Sequence, residues 1–434
     1  MVFGKKKKKS KKKKDDESSF AKDDASVFGA ESVFGAESTG QTTIPDANSA
    51  PEIWRNAKTA FGLGKVNFEV KDYDGARDSF LEVIQLCDKL IHICIENDDE
   101  EMLRKARKKT ADSRRELGDI AVIKVNYAAA KMYYGEAQKV YKDDEYELEL
   151  HLVMKRSGDI EYFEGRDEEA KKIYKEAVKV LEREEHLGWA HEEIGKIYRS
   201  LAQLHHDDDE WDDCLLCYRN SASAMKNAEE VGEKHPDYAE VVFGLGNALV
   251  NYGDTRLSPE ESRKQYKFAV ANLKTARSIY SDLNRSDLLD ELASTCYYLG
   301  YCYKKLGMKT DAIECFQSEW KIMDKLQAEV KPGLDHQAQS LEYLGSLYLN
   351  DDSFIDLAIS TLKKSIKMNE KLDEADNDAL FRLLHKLSDA QAKGGKHKEA
   401  LKSLERALIL AKEENGKISR EYARYFLPLL YFHG

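Results

Sequence analysis

Six prolines in 434 residues are few. Pro45, Pro51, Pro236, Pro259, Pro332 and Pro428 all stand where helices could start or stop, so nothing breaks long helices elsewhere. No stretch alternates apolar and polar residues over strand length, which excludes a mainly β fold. Long apolar runs are also missing. A stretch such as Phe426–Phe432, with Pro428 inside it, is far too short to cross a bilayer. The charged N-terminus is followed by no apolar core, so no secretory signal is expected. Seven cysteines, an odd number, are scattered at Cys87, Cys94, Cys214, Cys217, Cys296, Cys302 and Cys315. That argues against a disulfide framework and for packed thiols in a reducing compartment. A Walker-type phosphate loop and a Gly-x-Ser-x-Gly elbow are both lacking. Nothing in the sequence calls for catalysis or a cofactor, and a non-enzymatic protein with no small-molecule substrate is expected.

What is present is a repeat. An apolar residue and a small residue sit together. About twelve residues later comes another small residue, then an aromatic or Leu four on, then usually a small residue three on. The clearest copy is Leu299-Gly300, Tyr303, Gly307, Ala312, Phe316. Earlier copies read Leu63-Gly64, Ala76, Phe80; Leu117-Gly118, Ala130, Tyr134, Ala137; and Gly158, Ala170, Tyr174, Ala177. A worn fourth has Leu201-Ala202, Cys214, Tyr218, Ser221, and the fifth has Leu245-Gly246, Ala269, Leu273, Ala276. The last two are Leu344-Gly345, Tyr348, Ala358, Leu362 and Leu387-Ser388, Gly395, Ala400, Leu404, Ala407.

The spacing has a physical meaning. Gly or Ala at a helix crossing lets two backbones approach, and the ring or Leu fills the space beside the contact. Residues three and four apart share one helix face. Each copy is therefore an antiparallel helix pair whose apolar face stays open until the next pair stacks on it.

These residues resemble the tetratricopeptide repeat (TPR) family over roughly residues 55 to 415. The sixth copy matches the family pattern except at its last small position, where Glu319 stands. The seven steps from Gly64 to Ser388 average about 46 residues, against a minimal family period of about 34. Long repeats of this kind resemble those of kinesin light chains, Pins-type polarity scaffolds and Tonsoku-like proteins. The resemblance implies an all-α, right-handed superhelical solenoid of about eight TPR-like helical hairpins. The expected organisation is a disordered tail over 1–50, the solenoid over 51–415 and a C-terminal capping helix over 416–434.

The resemblance also implies a site. In the family, the first helix of each pair lines a concave groove, through the positions three before, one after and four after the small residue. Carried over, these are Arg115, Asp119, Lys155, Asp159, Tyr162, Arg199, Gln203, Phe243, Asn247, Tyr297, Tyr301 and Lys304, with His385 and Asp389 in the last copy. Aromatics beside amide and charged groups suit an extended or helical peptide. The Lys and Asn of the chaperone-type carboxylate clamp are not both in place, because Phe243 precedes Asn247 and Phe61 precedes Lys65. A co-chaperone role is not expected.

Charge is unevenly distributed. The chain carries −12, but Lys5, Lys6, Lys7, Lys8, Lys9, Lys11, Lys12, Lys13 and Lys14 lie together, so the rest stands at −21. An acidic body favours basic protein partners over phosphate backbones and anionic membranes. The lysine run reads as a nuclear import signal; contact with nucleic acid or anionic lipid, or a merely solvated tail, are the other readings. Direct nucleic-acid binding is expected through no other part of the chain. Without the run's import role the protein would be cytoplasmic. The twin SVFGAE at 26–31 and 32–37 reads as low complexity ahead of a linear motif presented twice. Three functions follow: a nuclear adaptor holding a partner peptide, a chromatin- or replication-associated scaffold for basic nuclear proteins, or a cytoplasmic motor or polarity adaptor.

Other candidates have simpler explanations. Cys214-Leu-Leu-Cys217, with His205 and His206 upstream, has zinc-like spacing, but Cys214 falls where the repeat needs a small residue. The acidic run at 205–213 reads as a solvated turn, with Asp207–Asp209 suited to the start of the next helix. Gly62-Leu-Gly64 and Gly244-Leu-Gly246 read as repeat glycines. The fifth copy carries an insertion at about 251–262 that ends in the capping box Ser258-Pro-Glu-Glu261, followed by a helix to about Ser281.

Overall fold

The computed structural model describes residues 49–184, 188–229, 231–255, 257–326, 334–371 and 377–411. The polybasic run, the SVFGAE tandem and the expected capping helix lie outside the described residues. Among the described residues there are sixteen α-helices and no strand.

The helices form eight consecutive pairs. The first three are α1 (Ala50–Glu69) with α2 (Tyr73–Glu96), α3 (Glu100–Ile123) with α4 (Tyr127–Asp143), and α5 (Glu147–Phe163) with α6 (Asp167–Leu181). Next come α7 (Gly188–Asp207) with α8 (Trp211–Asn227), and α9 (Pro236–Gly253) with α10 (Pro259–Leu283). The last three are α11 (Leu289–Leu306) with α12 (Lys309–Leu326), α13 (Leu334–Tyr348) with α14 (Ile355–Asn369), and α15 (Asn377–Lys393) with α16 (His397–Ala411). Each helix packs on the next along the chain, and α9 also touches α11. This is a helical solenoid.

One turn recurs at most connections. A helix ends, one residue takes a left-handed conformation, and the following amide bonds back to the carbonyl five residues earlier. Asp72, Asn126, Arg166 and Glu210 donate in this way to Asn67, Ala121, Glu161 and His205, each at 2.8 Å. The left-handed residue is Gly165, Gly307 or Gly395 in three turns, but Lys71, Val125 and Asp209 in others. Residues without a glycine's freedom are strained there, a β-branched one most of all. Asp72, Asp99 and Asn126 then cap the next helix, accepting from backbone amides three residues on at 3.0, 3.0 and 3.1 Å.

The small-to-ring register predicted by the sequence is observed. An added Cβ at Gly64 would lie 2.8 Å from the Phe80 ring, at Gly118 2.3 Å from Tyr134, and at Gly158 2.6 Å from Tyr174. Gly300 stands in the same relation to Phe316, and Gly246 and Gly345 to Leu273 and Leu362. Gly244 is different, because it faces Tyr218 of the preceding hairpin and so sets a spacing between hairpins. Gly62 faces nothing within 4 Å, so the repeat does not explain it. Each buried ring contributes about 2–3 kcal/mol by area removed from water.

The hydrophobic spine is less uniform than the repeat implies. One cluster runs from Ala111 in α3 to Ala411 in α16. The first hairpin has its own cluster, reaching only to Ala106 in α3. Phe80, Leu117 and Ile120 form a bridge between the first two hairpins.

Two local expectations need correction. Asp207 closes α7, and α8 starts at Trp211, so Asp212 and Asp213 occupy its first turn in place of Asp207–Asp209. The fifth-copy insertion is also shorter, because residues 251–253 continue α9. The capping box holds: the Ser258 hydroxyl accepts from Glu261 N at 3.3 Å, and Glu261 Oε2 accepts from Ser258 N at 3.1 Å. α10 reaches Leu283, which makes it the longest helix described, at 25 residues. The extra residues mainly lengthen a helix.

Candidate partner-binding surface

The first helices of successive pairs lie side by side, and polar bonds join them at every step. Lys65 Nζ of α1 lies 3.0 Å from Glu116 Oε2 of α3. Arg156 Nη1 of α5 lies 2.5 Å from Asp119 Oδ1 of α3. Tyr162 donates to Asp207 Oδ2 of α7 at 2.9 Å, and Arg199 pairs with Glu240 of α9. The hydroxyl of Tyr301 in α11 donates to Asp254, just after α9, at 2.7 Å. Tyr297 donates to Gln339 Oε1 of α13 at 2.6 Å, and Lys386 Nζ of α15 lies 2.7 Å from Glu342 Oε1 of α13. The expected groove residues thus share one face, but Asp119, Tyr162, Arg199, Tyr297 and Tyr301 spend polar groups on the neighbouring hairpin.

Three of them converge at one cleft. Arg115, Asp119 and Asp159 line a hollow of about 460 Å³, with Lys65, Glu116 and Arg156 beside them and Phe68, Ile123 and Phe163 as apolar walls. Its charges are matched. Arg115 Nη2 lies 2.8 Å from Glu116 Oε1, and Lys155 Nζ 3.0 Å from Asp159 Oδ2. Burial raises the Asp119 carboxyl, although Arg156 and the Tyr134 hydroxyl both stabilise its ionised form. Tyr134 donates to Asp119 at 2.5 Å, and Tyr174 donates to Asp159. The groove carboxylates therefore also hold the core rings in place.

The remaining expected residues lie further along. Gln203 Nε2 donates to Asp207 Oδ1 at 2.8 Å. Asn247 Oδ1 accepts from Asn251 Nδ2 at 3.0 Å, so that oxygen already has a partner within the chain. Phe243 packs edge-on against Tyr298, with centroids 5.8 Å apart. Tyr297 is buried among Tyr298, Phe316 and Tyr343 and belongs to the core more than to the surface. Lys304 Nζ sits 3.9 Å from the Tyr343 centroid. His385 Nδ1 lies 3.6 Å from Asp389 Oδ2. At the first hairpin, the Lys109 ammonium stands 4.0 Å from the Phe61 ring centroid.

Sequence reasoning missed Glu116, Arg156, Tyr343 and Lys386. All four stand two residues before the small position. That offset lies about 60° or more around the helix from the three carried-over positions, on the flank that meets the preceding hairpin. A register signal was available, since the offset carries a charged or aromatic residue in most copies.

The thiol and histidine candidates resolve into packing and ion pairs. Cys214 and Cys217 are free and buried, and burial pushes their thiols up to about 12 and about 11. His205, Glu210 and Asp213 place ligand-type atoms within 4.8 Å of one another. A cation already serves this cluster: Lys171 Nζ lies 2.7 Å from Glu210 Oε2 and 2.9 Å from Asp208 Oδ2, and its side chain is 5% exposed. His205 Nδ1 also bonds Glu210, at 2.5 Å.

Comparison with known proteins agrees with this geometry. A tetratricopeptide-repeat family profile matches residues 297–318, the sixth copy. A solved structure described as a signal-transduction ATPase with numerous domains and a tetratricopeptide-repeat sensor, from Pyrococcus horikoshii, is similar with a TM-score of 0.51. The fold is that of a tetratricopeptide-repeat protein. That match has 13% identity and covers 89% of this chain and 55% of the other. Aspartyl phosphate phosphatase F from Bacillus subtilis is similar at 13% identity, over 88% of this chain and 98% of that one, with a TM-score of 0.42. TPR-like repeats of a Podosopora anserina protein described as a kinesin light chain match at 16% identity, over 50% and 93%, with a TM-score of 0.38. No curated protein sequence matches the chain. No helix among the described residues is long and apolar enough to cross a membrane. A tetratricopeptide-repeat fold is typically a non-catalytic interaction scaffold.

Proposed function

We propose that this protein is a non-enzymatic adaptor that holds a segment of a protein partner along the face formed by its first helices. One observation carries the reading: eight first helices lie side by side, bonded to one another, and present mixed aromatic, amide and charged groups on a shared face. The inter-hairpin bonds order those side chains before a partner arrives, which lowers the entropy lost on binding. A photo-crosslinking amino acid placed at Gln203, on α7, should capture the partner in cells. The same group at Lys172, exposed on α6, should not. Adducts only from Lys172 would end the proposal.

The lysine run over residues 5–14 is proposed to carry the adaptor to the nucleus, where basic proteins are abundant and the acidic body attracts them. Deleting residues 5–14 and imaging the tagged protein tests this. Redistribution to the cytoplasm is expected, and an unchanged pattern would refute it.

A further inference from the structure

The net charge of the chain points to basic partners, but one part of the first-helix face has the opposite local character. Lys304 lies on α11 and is half-buried. Its ammonium stands 3.9 Å from the Tyr343 centroid and 5.9 Å from that of Tyr301. Among the described residues no carboxylate lies within ion-pair distance of it. The two nearby acids are already committed. Asp254 Oδ1 is 2.7 Å from Lys305 Nζ, and its Oδ2 accepts from the Tyr301 hydroxyl. Glu342 Oε1 is 2.7 Å from Lys386 Nζ and 3.9 Å from Arg382 Nε. Four cations thus face two carboxylates, and Lys304 is the one of the four with neither carboxylate within ion-pair distance.

A ring face compensates an ammonium only partly. A half-buried cation without a counter-ion remains under-solvated. Burial, Lys386 and Lys305 depress the Lys304 ammonium below the usual lysine range, and the more distant Glu342 and Asp254 offset this only in part. An arriving carboxylate supplies the counter-charge that this environment lacks. The tyrosines beside it offer an apolar wall for a neighbouring side chain.

Resting on the adaptor reading above, we infer that Lys304, with Tyr301 and Tyr343, forms an anchor for an acidic side chain of the bound partner segment, with an apolar partner residue next to it. The occupant is a peptide segment carrying Asp or Glu, chosen by charge complementarity. Specificity here depends on local compensation and not on net charge.

The test pans a random twelve-residue peptide display library against the full chain. Parallel selections use Lys304→Gln and Lys304→Glu, with each variant's melting checked against the parent. The parent should enrich peptides with an acidic residue beside an apolar one. Lys304→Gln should bind those peptides about tenfold or more weakly. Lys304→Glu should shift the selected residue to Lys or Arg. Acidic peptides that bind Lys304→Gln equally well would overturn the anchor, as would enrichment without acidic residues. Either result would leave the groove reading standing. Failure of the parent to enrich any peptide would overturn both.

Discussion

Gly118→Ala should destabilise the protein although alanine favours a helix. An alanine gains about 1 kcal/mol over glycine inside a helix. At Gly118 its Cβ would lie 2.3 Å from Tyr134 Cε1. An ordinary contact needs the ring to withdraw by about 1 Å. Tyr134 has no room to do so: it is 1% exposed, and its hydroxyl is held by Asp119 at 2.5 Å. Overpacking of this kind costs about 1–3 kcal/mol or more. So close an approach puts the cost at the upper end of that range, and the net expectation is a loss of about 1–2 kcal/mol. Gly135 supplies the control. It lies in α4 of the same hairpin, with nothing within 4 Å of its would-be Cβ. Gly135→Ala should gain about 0.5–1 kcal/mol. Stacked repeats need not unfold as one unit, so the readout is amide hydrogen exchange in α3 and α4. Those amides should exchange about tenfold faster in Gly118→Ala and slower in Gly135→Ala. If both alanines slow exchange, the close crossing does not exist and the reasoning fails.

Other expectations follow from the turns, the core acid and the thiols. Val125 holds φ +59° and is 67% exposed, so Val125→Gly should stabilise by about 0.5–1 kcal/mol, whereas Gly165→Val in the equivalent turn should lose about 1–2 kcal/mol; amide exchange in the flanking helices reads both. Glu319 is 3% exposed, and burial pushes its carboxyl up to about 8, against one hydrogen bond from the Ser340 hydroxyl at 2.7 Å. Its folded form prefers the proton, so stability should be highest below about pH 4.5 as far as this group is concerned. It should fall as pH rises toward 8, by on the order of 4 kcal/mol in all, and level off above. Glu319→Gln should flatten that slope in melting runs from pH 5 to 9, and an unchanged slope would show that Glu319 is not its source. All seven cysteines are buried and free, with thiols such as Cys87 and Cys315 raised to about 11 by burial. Iodoacetamide at pH 8 should label the folded protein slowly and all seven sites after denaturation; rapid native labelling would contradict the packing.

The repeat was legible because it depends on local geometry. A small residue and a ring at fixed separation meet wherever two helices of one hairpin cross, so Gly118 with Tyr134 and Gly300 with Phe316 could be paired from spacing alone. The box at Ser258 was legible for the same reason: all its bonds span three residues. The candidate surface was legible only in part. Positions on a helix face follow from periodicity, and Arg115, Asp119 and Asp159 do meet at one cleft.

What those side chains touch was decided by stacking. Glu116 meets Lys65 across 51 residues, and Asp254 meets Lys305 across the same interval. No short-range rule covers such pairs, since the offset between hairpins depends on contacts such as Gly244 against Tyr218. The burial of Tyr297, the lysine that fills the His205 cluster and the uncompensated charge of Lys304 are likewise tertiary outcomes. The sequence by itself determined the hairpins, because each is held by contacts within one copy. Only the tertiary structure determined which charges are neutralised and which remain for a partner, because that balance is struck between copies.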